Sequence, residues 1–217
     1  MRRGECKMIN LQKGQSIDLT KGNKGLEEVT IGLKWGGVAK VKSDNSEGKG
    51  ILARLFDKFA NQPVVTNKSG DIDSSVVSLD ANKNQVGRVY FASRRSAGIY
   101  HAGDDTTGNN KFGVEDNEEI YITLNQVPSS TQELYIVANI YSGYSHFGEV
   151  GNSYMRLINT KTKEELARYE LDDFKGCGGV ILGKLYRYKG EWKFKTLGDG
   201  VNSKRLDGIE REILRRY

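Results

Sequence analysis

Cysteine, proline and histidine are scarce in this sequence, with two of each, and long apolar runs are missing. Each shortage excludes something. Cys6 and Cys177 stand alone, neither of them in a Cys-x-x-Cys pair. A disulfide scaffold or a cysteine zinc site is therefore not expected, and two free thiols suit a reducing compartment. No stretch approaches the ~18 apolar residues of a membrane-spanning helix. Residues 1–14, MRRGECKMINLQKG, carry positive charge but no apolar signal-peptide core, so a cytoplasmic location is expected. The histidines are His101 and His146, and they leave few catalytic options. Ser145 and His146 are adjacent in the chain, which is not triad geometry, and the segment GYSHF lacks the closing glycine of a nucleophile elbow. There is no G-x-x-x-x-G-K-S/T phosphate loop and no H-E-x-x-H zinc motif. Paired carboxylates can serve glycoside hydrolysis, but nothing else here supports it. The chain is read as a non-enzyme.

What is plentiful is glycine, 26 residues in 217, set among strictly alternating strands. Val29, Ile31, Leu33 and Trp35 point one way, with Thr30, Gly32 and Lys34 the other. The same period of two runs through Ile120–Leu124, Leu134–Tyr141 and Glu191–Thr196, the mark of strands with one buried face. Shorter strands are predicted at 76–79, 88–92, 154–159, 167–171 and 179–188. Asp80–Asn84, Asn159–Glu165 and Lys189-Gly190 supply the polar turns between them. The predicted fold is all-β, an antiparallel β-sandwich with one short inserted helix and a C-terminal helix. One domain spans 1–217, with an inserted loop and helix at 36–70. Within that insertion, residues 49–60 place Ile51, Leu52, Leu55, Phe56 and Phe59 on one helical face. The C-terminal helix, 203–217, places Leu206, Ile209, Ile213 and Tyr217 likewise, with Ser203 as the expected N-cap. Such a basic amphipathic helix could lie on anionic lipid or nucleic acid. The favoured reading docks both helices on the sandwich, because each is short and mixed in charge.

The net charge is +5, yet His101–Leu124 gathers Asp104, Asp105, Glu115, Asp116, Glu118 and Glu119 around a single cation, Lys111. Two unit charges ~4 Å apart repel by about 1 kcal/mol in water and several times more at a protein surface. A divalent cation would reverse that penalty. Carboxylates, amides and carbonyls suit hard cations, and a flexible loop suits calcium better than magnesium. Asp71 and Asp73 precede a predicted strand and would share one face, ~7 Å apart. The spacing is not that of an EF-hand: counted from Asp104, the sixth and twelfth places hold Asn109 and Glu115. A solvated acidic loop is the alternative. His101, bordering the loop, is expected at the surface.

Seven collinear segments resemble the tellurite-resistance TerD family: INLQKGQSIDLTK (9–21), VTIGLKW (29–35), DIDSSVVSLDANKNQV (71–86), HAGDDTTG (101–108), EDNEEIYITLNQVP (115–128), HFGEVGNSYMRLINTKTKEELARYEL (146–171) and GKLYRYKGEWKFKTLGDG (183–200). The resemblance covers most of the chain outside 36–70 and the C-terminal helix. It implies a calcium-binding β-sandwich without known catalysis, associated with resistance to tellurite and to other chemical or phage stress. Its partners would be proteins, including membrane-associated stress-resistance components; no nucleic acid or small-molecule substrate is expected. The family's DLD motif matches Asp71-Ile72-Asp73, its GDN-x-TG motif matches residues 103–108, and its DDE motif matches Asp116-Asn117-Glu118. Asp71, Asp73, Asp104, Asp105, Asp116, Asn117 and Glu118 are thus the expected metal ligands or their immediate supports. There are departures. Asn117 stands where the family has an aspartate, the spacer NNKFGVE is long, Gly70 replaces a bulky apolar residue, and Ser142 falls where an aspartate is common. These imply a weaker site holding fewer ions.

A rival reading is nucleic-acid binding. Arg94-Arg95 near Tyr90 and Phe91, and Tyr186-Arg187-Tyr188-Lys189 near Trp192, interleave cations with aromatics. The same pattern describes an ordinary half-exposed strand, which is the favoured reading.

Overall fold

The structure, a computed structural model, describes residues 13–20, 26–36, 70–108 and 116–217, and the backbone alone at 38–39 and 67–68. The helix expected at 49–60 lies outside the described residues.

The strands are β1 (Ser16–Asp18), β2 (Glu28–Gly36), β3 (Val38–Ala39), β4 (Asn67–Lys68), β5 (Asp71–Leu79), β6 (Gln85–Val89), β7 (Arg95–Ser96), β8 (Ile99–His101), β9 (Glu118–Thr123), β10 (Glu133–Ser142), β11 (Gly151–Asn159), β12 (Glu165–Glu170), β13 (Gly179–Tyr188) and β14 (Glu191–Val201). One 3-10 turn, Phe147–Glu149, precedes β11, and helix α1 spans Leu206–Arg216. Two six-stranded antiparallel sheets result, in the orders β1-β14-β13-β10-β5-β6 and β12-β11-β2-β9-β8-β7, and β3 and β4 pair separately. The expected all-β sandwich is what the chain forms.

The alternating residues fill the space between the sheets. Val29, Ile31, Leu33 and Trp35 of β2 meet Ile72, Val76, Ile120, Ile122, Leu134 and Phe194 in one core. A second, smaller core lies on the other side of the first sheet. There Val77, Tyr135, Val137 and Ile181 receive Ile209 and Ile213 of α1. The C-terminal helix therefore docks its apolar stripe on the sandwich, as expected. Its start is a correction. The N-cap is Arg205, without a side-chain cap, and Ser203 instead bonds Arg205, accepting from its N–H at 3.1 Å. The strand expected at 88–92 ends at Val89, after which Tyr90 and Ser93 close a turn by an isolated bridge.

One detail of pairing opens the functional end. β5 is buried throughout, sandwiched between β10 and β6. Yet β6 pairs only with Val76–Leu79, so Asp71–Ser75 have no β6 partner. Asp71 and Asp73 thus begin β5 rather than precede it, on a side left open to the loops of the second sheet.

Candidate metal centre

Along β5 the period of two sends Ile72 into the core between the sheets and Asp71 and Asp73 to the opposite face. Both aspartates are buried, and the exposed Asp104 from the loop after β8 comes to meet them. One carboxylate oxygen from each lies within 4.8 Å of the others. Burial, and then the charges of Asp104, Glu118 and Asp105, push the Asp71 carboxyl up to about 6. Burial, and then Glu118 and Asp71, push Asp73 up to about 7, although the Asn139 amide pulls the other way. Asn139 stands opposite Asp73 on β10 and donates to its Oδ2 at 3.3 Å.

The remaining candidate residues build the surroundings. Glu118 Oε2 accepts from the Ser74 N–H at 2.8 Å and from Ser74 Oγ at 2.7 Å, standing in for the missing strand partner of β5. Its pKa is raised, chiefly by burial, with His101 and Ser74 opposing. Asp105 organises its own loop. Its Oδ1 accepts from the Thr107 N–H, Thr107 Oγ1 and the Gly108 N–H, and its Oδ2 from Asn117 Nδ2 at 2.8 Å. Burial opposes the charge of Asp105, but these donors outweigh it and hold the carboxyl below its usual range. Asn117 Oδ1 in turn accepts from the Trp35 N–H, and Trp35 Nε1 donates to the Gly70 carbonyl at 2.9 Å. Asp105, Asn117 and Trp35 thereby brace the three acidic segments against one another.

Asp116 is engaged elsewhere. Arg156 of β11 grips it through Nε, at 3.0 Å from each carboxylate oxygen, and through Nη2, at 2.8 Å from Oδ2. The contact crosses β2 at Gly32, where an added Cβ would lie 2.2 Å from Asp116 Oδ2. The converging trio does not include Asp116.

Four of the seven expected residues thus stay out of the trio: Asp105, Asn117 and Glu118 surround it, and Asp116 is tied to Arg156. His101 is a second correction. It is fully buried, because strand β8 turns it inward, and its Nε2 lies 3.4 Å from Glu118 Oε2 and from Ser74 Oγ. Of the sequence departures, Gly70 now has a steric reason: a Cβ there would lie 2.3 Å from the Tyr144 ring. Ser142 stands opposite Asp71 at the bulged end of β10. Ser74, His101, Trp35 and Arg156 were not legible as site residues. Ser74, within the Asp-Ile-Asp-Ser run, and His101, bordering the acidic loop, were the two that lay close enough in sequence to be suspected.

The donors at the centre are all oxygen. Three buried acceptors there lack a hydrogen-bond donor: Asp71 Oδ1, Glu118 Oε1 and Asn139 Oδ1. Orphaned acceptors around clustered carboxylates fit a hard cation, which supplies the missing positive charge. No thiolate or imidazole belongs to the trio, which disfavours softer metals.

The sequence signature of the TerD domain matches residues 8–212. The chain belongs to the TerD family. This TerD-family chain is 35% identical to the stress response protein SCP2 of Bacillus subtilis (strain 168) over 209 residues, covering 93% of this chain and 96% of that one. It is 29% identical to the tellurium resistance protein TerZ of Serratia marcescens over 209 residues, covering 95% and 97%. A crystal structure of a homologue of telluride resistance protein (TerD) from Streptomyces coelicolor A3(2) superposes with a TM-score of 0.61 at 19% identity, over 84% of this chain and 94% of that one, and shows the same fold. The TerD-family sandwich is thus a member of a stress- and tellurium-resistance family. Among its described residues no helix is long and apolar enough to cross a membrane.

Proposed function

We propose that this TerD-family protein binds calcium and acts without catalysis, as a metal-dependent binding or scaffold module in resistance to tellurite, chemical or phage stress. The observation that carries this is the convergence of Asp71, Asp73 and Asp104, two of them buried, beside acceptor oxygens with no donor. Asp71, Asp73 and Asp104 would hold the ion directly, and Glu118 and Asn139 offer the next oxygens. Asp105 and Asn117 keep the loop in place, and Asp116 secures their segment through Arg156.

A bound calcium ion would contribute charge neutralisation. Repelling carboxylates then become ligands, and the 102–108 loop is held against β5. A surface whose loops are set by an ion offers partners one shape when loaded and another when stripped. The partners in this reading are proteins, including membrane-associated components of stress resistance, met in the cytoplasm.

Calorimetric titration of metal-stripped protein with calcium and with magnesium tests the reading. Saturable heat with calcium, weaker with magnesium, is expected. A flat titration with both would remove the metal from the account. Pull-downs with calcium and with chelator should give different partner sets, and identical sets would remove the scaffold role.

A further inference from the structure

At the end of the first sheet away from the acidic centre, cations crowd as carboxylates do at the other. β10 runs from Asn139, opposite Asp73, to Glu133, opposite Tyr186; at ~3.3 Å per residue the two ends are about 20 Å apart. Leu185 of β13 and Trp192 and Phe194 of β14 enter the core between the sheets. The alternate residues Tyr186, Tyr188, Glu191, Lys193 and Lys195 face the other way, with Tyr188 opposite Glu191, Tyr186 opposite Lys193 and Lys184 opposite Lys195. Helix α1 covers the neighbouring part of this face around Ile181 and leaves the hairpin end bare. Arg187 does not belong to this surface. Its guanidinium stacks 4.3 Å from the Trp192 ring and donates to the Thr131 and Val127 carbonyls.

Charge on this patch is incompletely compensated. Lys184 shares the single carboxylate of Glu133 with Lys83, each at 2.6 Å. Lys193 pairs with Asp18 at 2.7 Å. Among the described residues Lys189 and Lys195 have no ion pair. The lysine ammonium groups also lie over the rings. Lys193 and Lys189 lie 4.7 and 5.4 Å from the Tyr188 centroid, and Lys184 lies 5.7 Å from that of Tyr186. Tyr188 is half-exposed.

The geometry points to a binding surface for single-stranded nucleic acid on the outer face of β13 and β14. Two rings at i and i+2 on a strand stand ~7 Å apart, an arrangement in which a sheet presents stacking platforms to successive unpaired bases. Base stacking on tyrosine tolerates any sequence, and lysines in the next strand neutralise the backbone. A duplex keeps its bases stacked inside and offers the rings nothing. An acidic polypeptide would satisfy the lysines but leave the rings without a stacking partner.

The test uses the full chain and a fluorescent deoxythymidine oligomer of about 12 nucleotides, within the range of ~4–16 that one small β-domain occupies. Anisotropy should rise saturably. Neutralising three phosphates predicts a slope near −2 for log affinity against log salt, at ~0.7 per phosphate. Tyr188→Ala should weaken binding about tenfold, the usual loss of one base stack, and Lys195→Glu should both weaken binding and flatten the salt slope. Both positions lie outside the core, so unchanged melting temperatures will accompany these losses. Tyr188→Phe keeps the stacking ring and should bind as the parent does. No binding of the oligomer, equal binding by the Tyr188→Ala protein, or equally tight binding of polyglutamate would each overturn the inference.

Discussion

Asp71 and Asp73 hold their protons more tightly in the fold than in the unfolded chain, at about 6 and 7 against an ordinary 3.8. In metal-free protein their contribution to stability is full below about pH 4 and is lost as pH rises through 6 and 7. The melting temperature in chelator should therefore fall across that window, and calcium affinity should rise across it as the protons leave. Parallel thermal melts and calcium titrations at pH 5.5 and pH 8 check both directions. Asp73→Asn should relieve the repulsion, raising the chelator melting temperature by roughly 2–4 °C if ~1 kcal/mol is recovered, while removing the calcium-induced rise. Asp104 is exposed. Its change to Ala should leave metal-free stability within about 0.5 kcal/mol and weaken calcium binding severely. The Asp116–Arg156 pair is structural and nearly dry, with 1% and 11% of its side-chain surface exposed. Arg156→Met would remove the two-pronged guanidinium grip on this nearly dry carboxylate, at a cost of about 3 kcal/mol, read as a lower denaturation midpoint.

Among the elements, α1 is where local sequence and tertiary packing disagree most. Its apolar stripe was legible from the 3.6-residue period, because Leu206, Ile209 and Ile213 recur on one side. Its first turn was not, because Ser203 has the right chemistry but sits two residues early. Arg205 occupies the cap in extended backbone, φ −95° and ψ 134°, with no side-chain acceptor for the helix N–H groups. Arg205→Asp should supply one and favour the dipole, stabilising the protein by about 1 kcal/mol in chemical denaturation. Ile213→Ala should cost about 2–4 kcal/mol by opening a cavity against the outer face of the first sheet. β5 teaches a related point. Its hydrophobic alternation is weak, with Ser74, Ser75 and Ser78 all buried. It is nonetheless an interior strand, because its backbone pairs with β10 and Glu118 takes both the N–H and the hydroxyl of Ser74.

Across the whole molecule, strand pairing sets an acidic end, where β5 begins, against a lysine-rich end at the β13–β14 hairpin. In the proposed reading calcium acts on the first of these. If it binds only the folded state, 100-fold excess over the dissociation constant should stabilise the fold by about 2.7 kcal/mol. Melting in calcium and in chelator, at equal ionic strength, measures that difference directly. The oligonucleotide surface is about 20 Å from the acidic centre, beyond the ~10 Å over which 0.1 M salt screens exposed charges.

The long strands, several turns, the docked helix and the acidic motifs were legible from the sequence, because period-two alternation, turn chemistry and charge density are local properties of the chain; the short strands β1, β7 and β8 and the first half of β5 were not. Which carboxylates meet was not local. Asp71 and Asp73 reach Asp104 only because β6 is too short to cover the start of β5, leaving room for a loop from the other sheet. Asp116, one residue from Asn117, goes instead to Arg156 because Gly32 leaves a passage across β2. His101 is inside because of how β8 pairs with β9, opposite Ile120. Neighbours in sequence take opposite faces of a strand, and partners distant in sequence are set by sheet register. Long-range pairing therefore decided which of the expected residues form the centre and which support it.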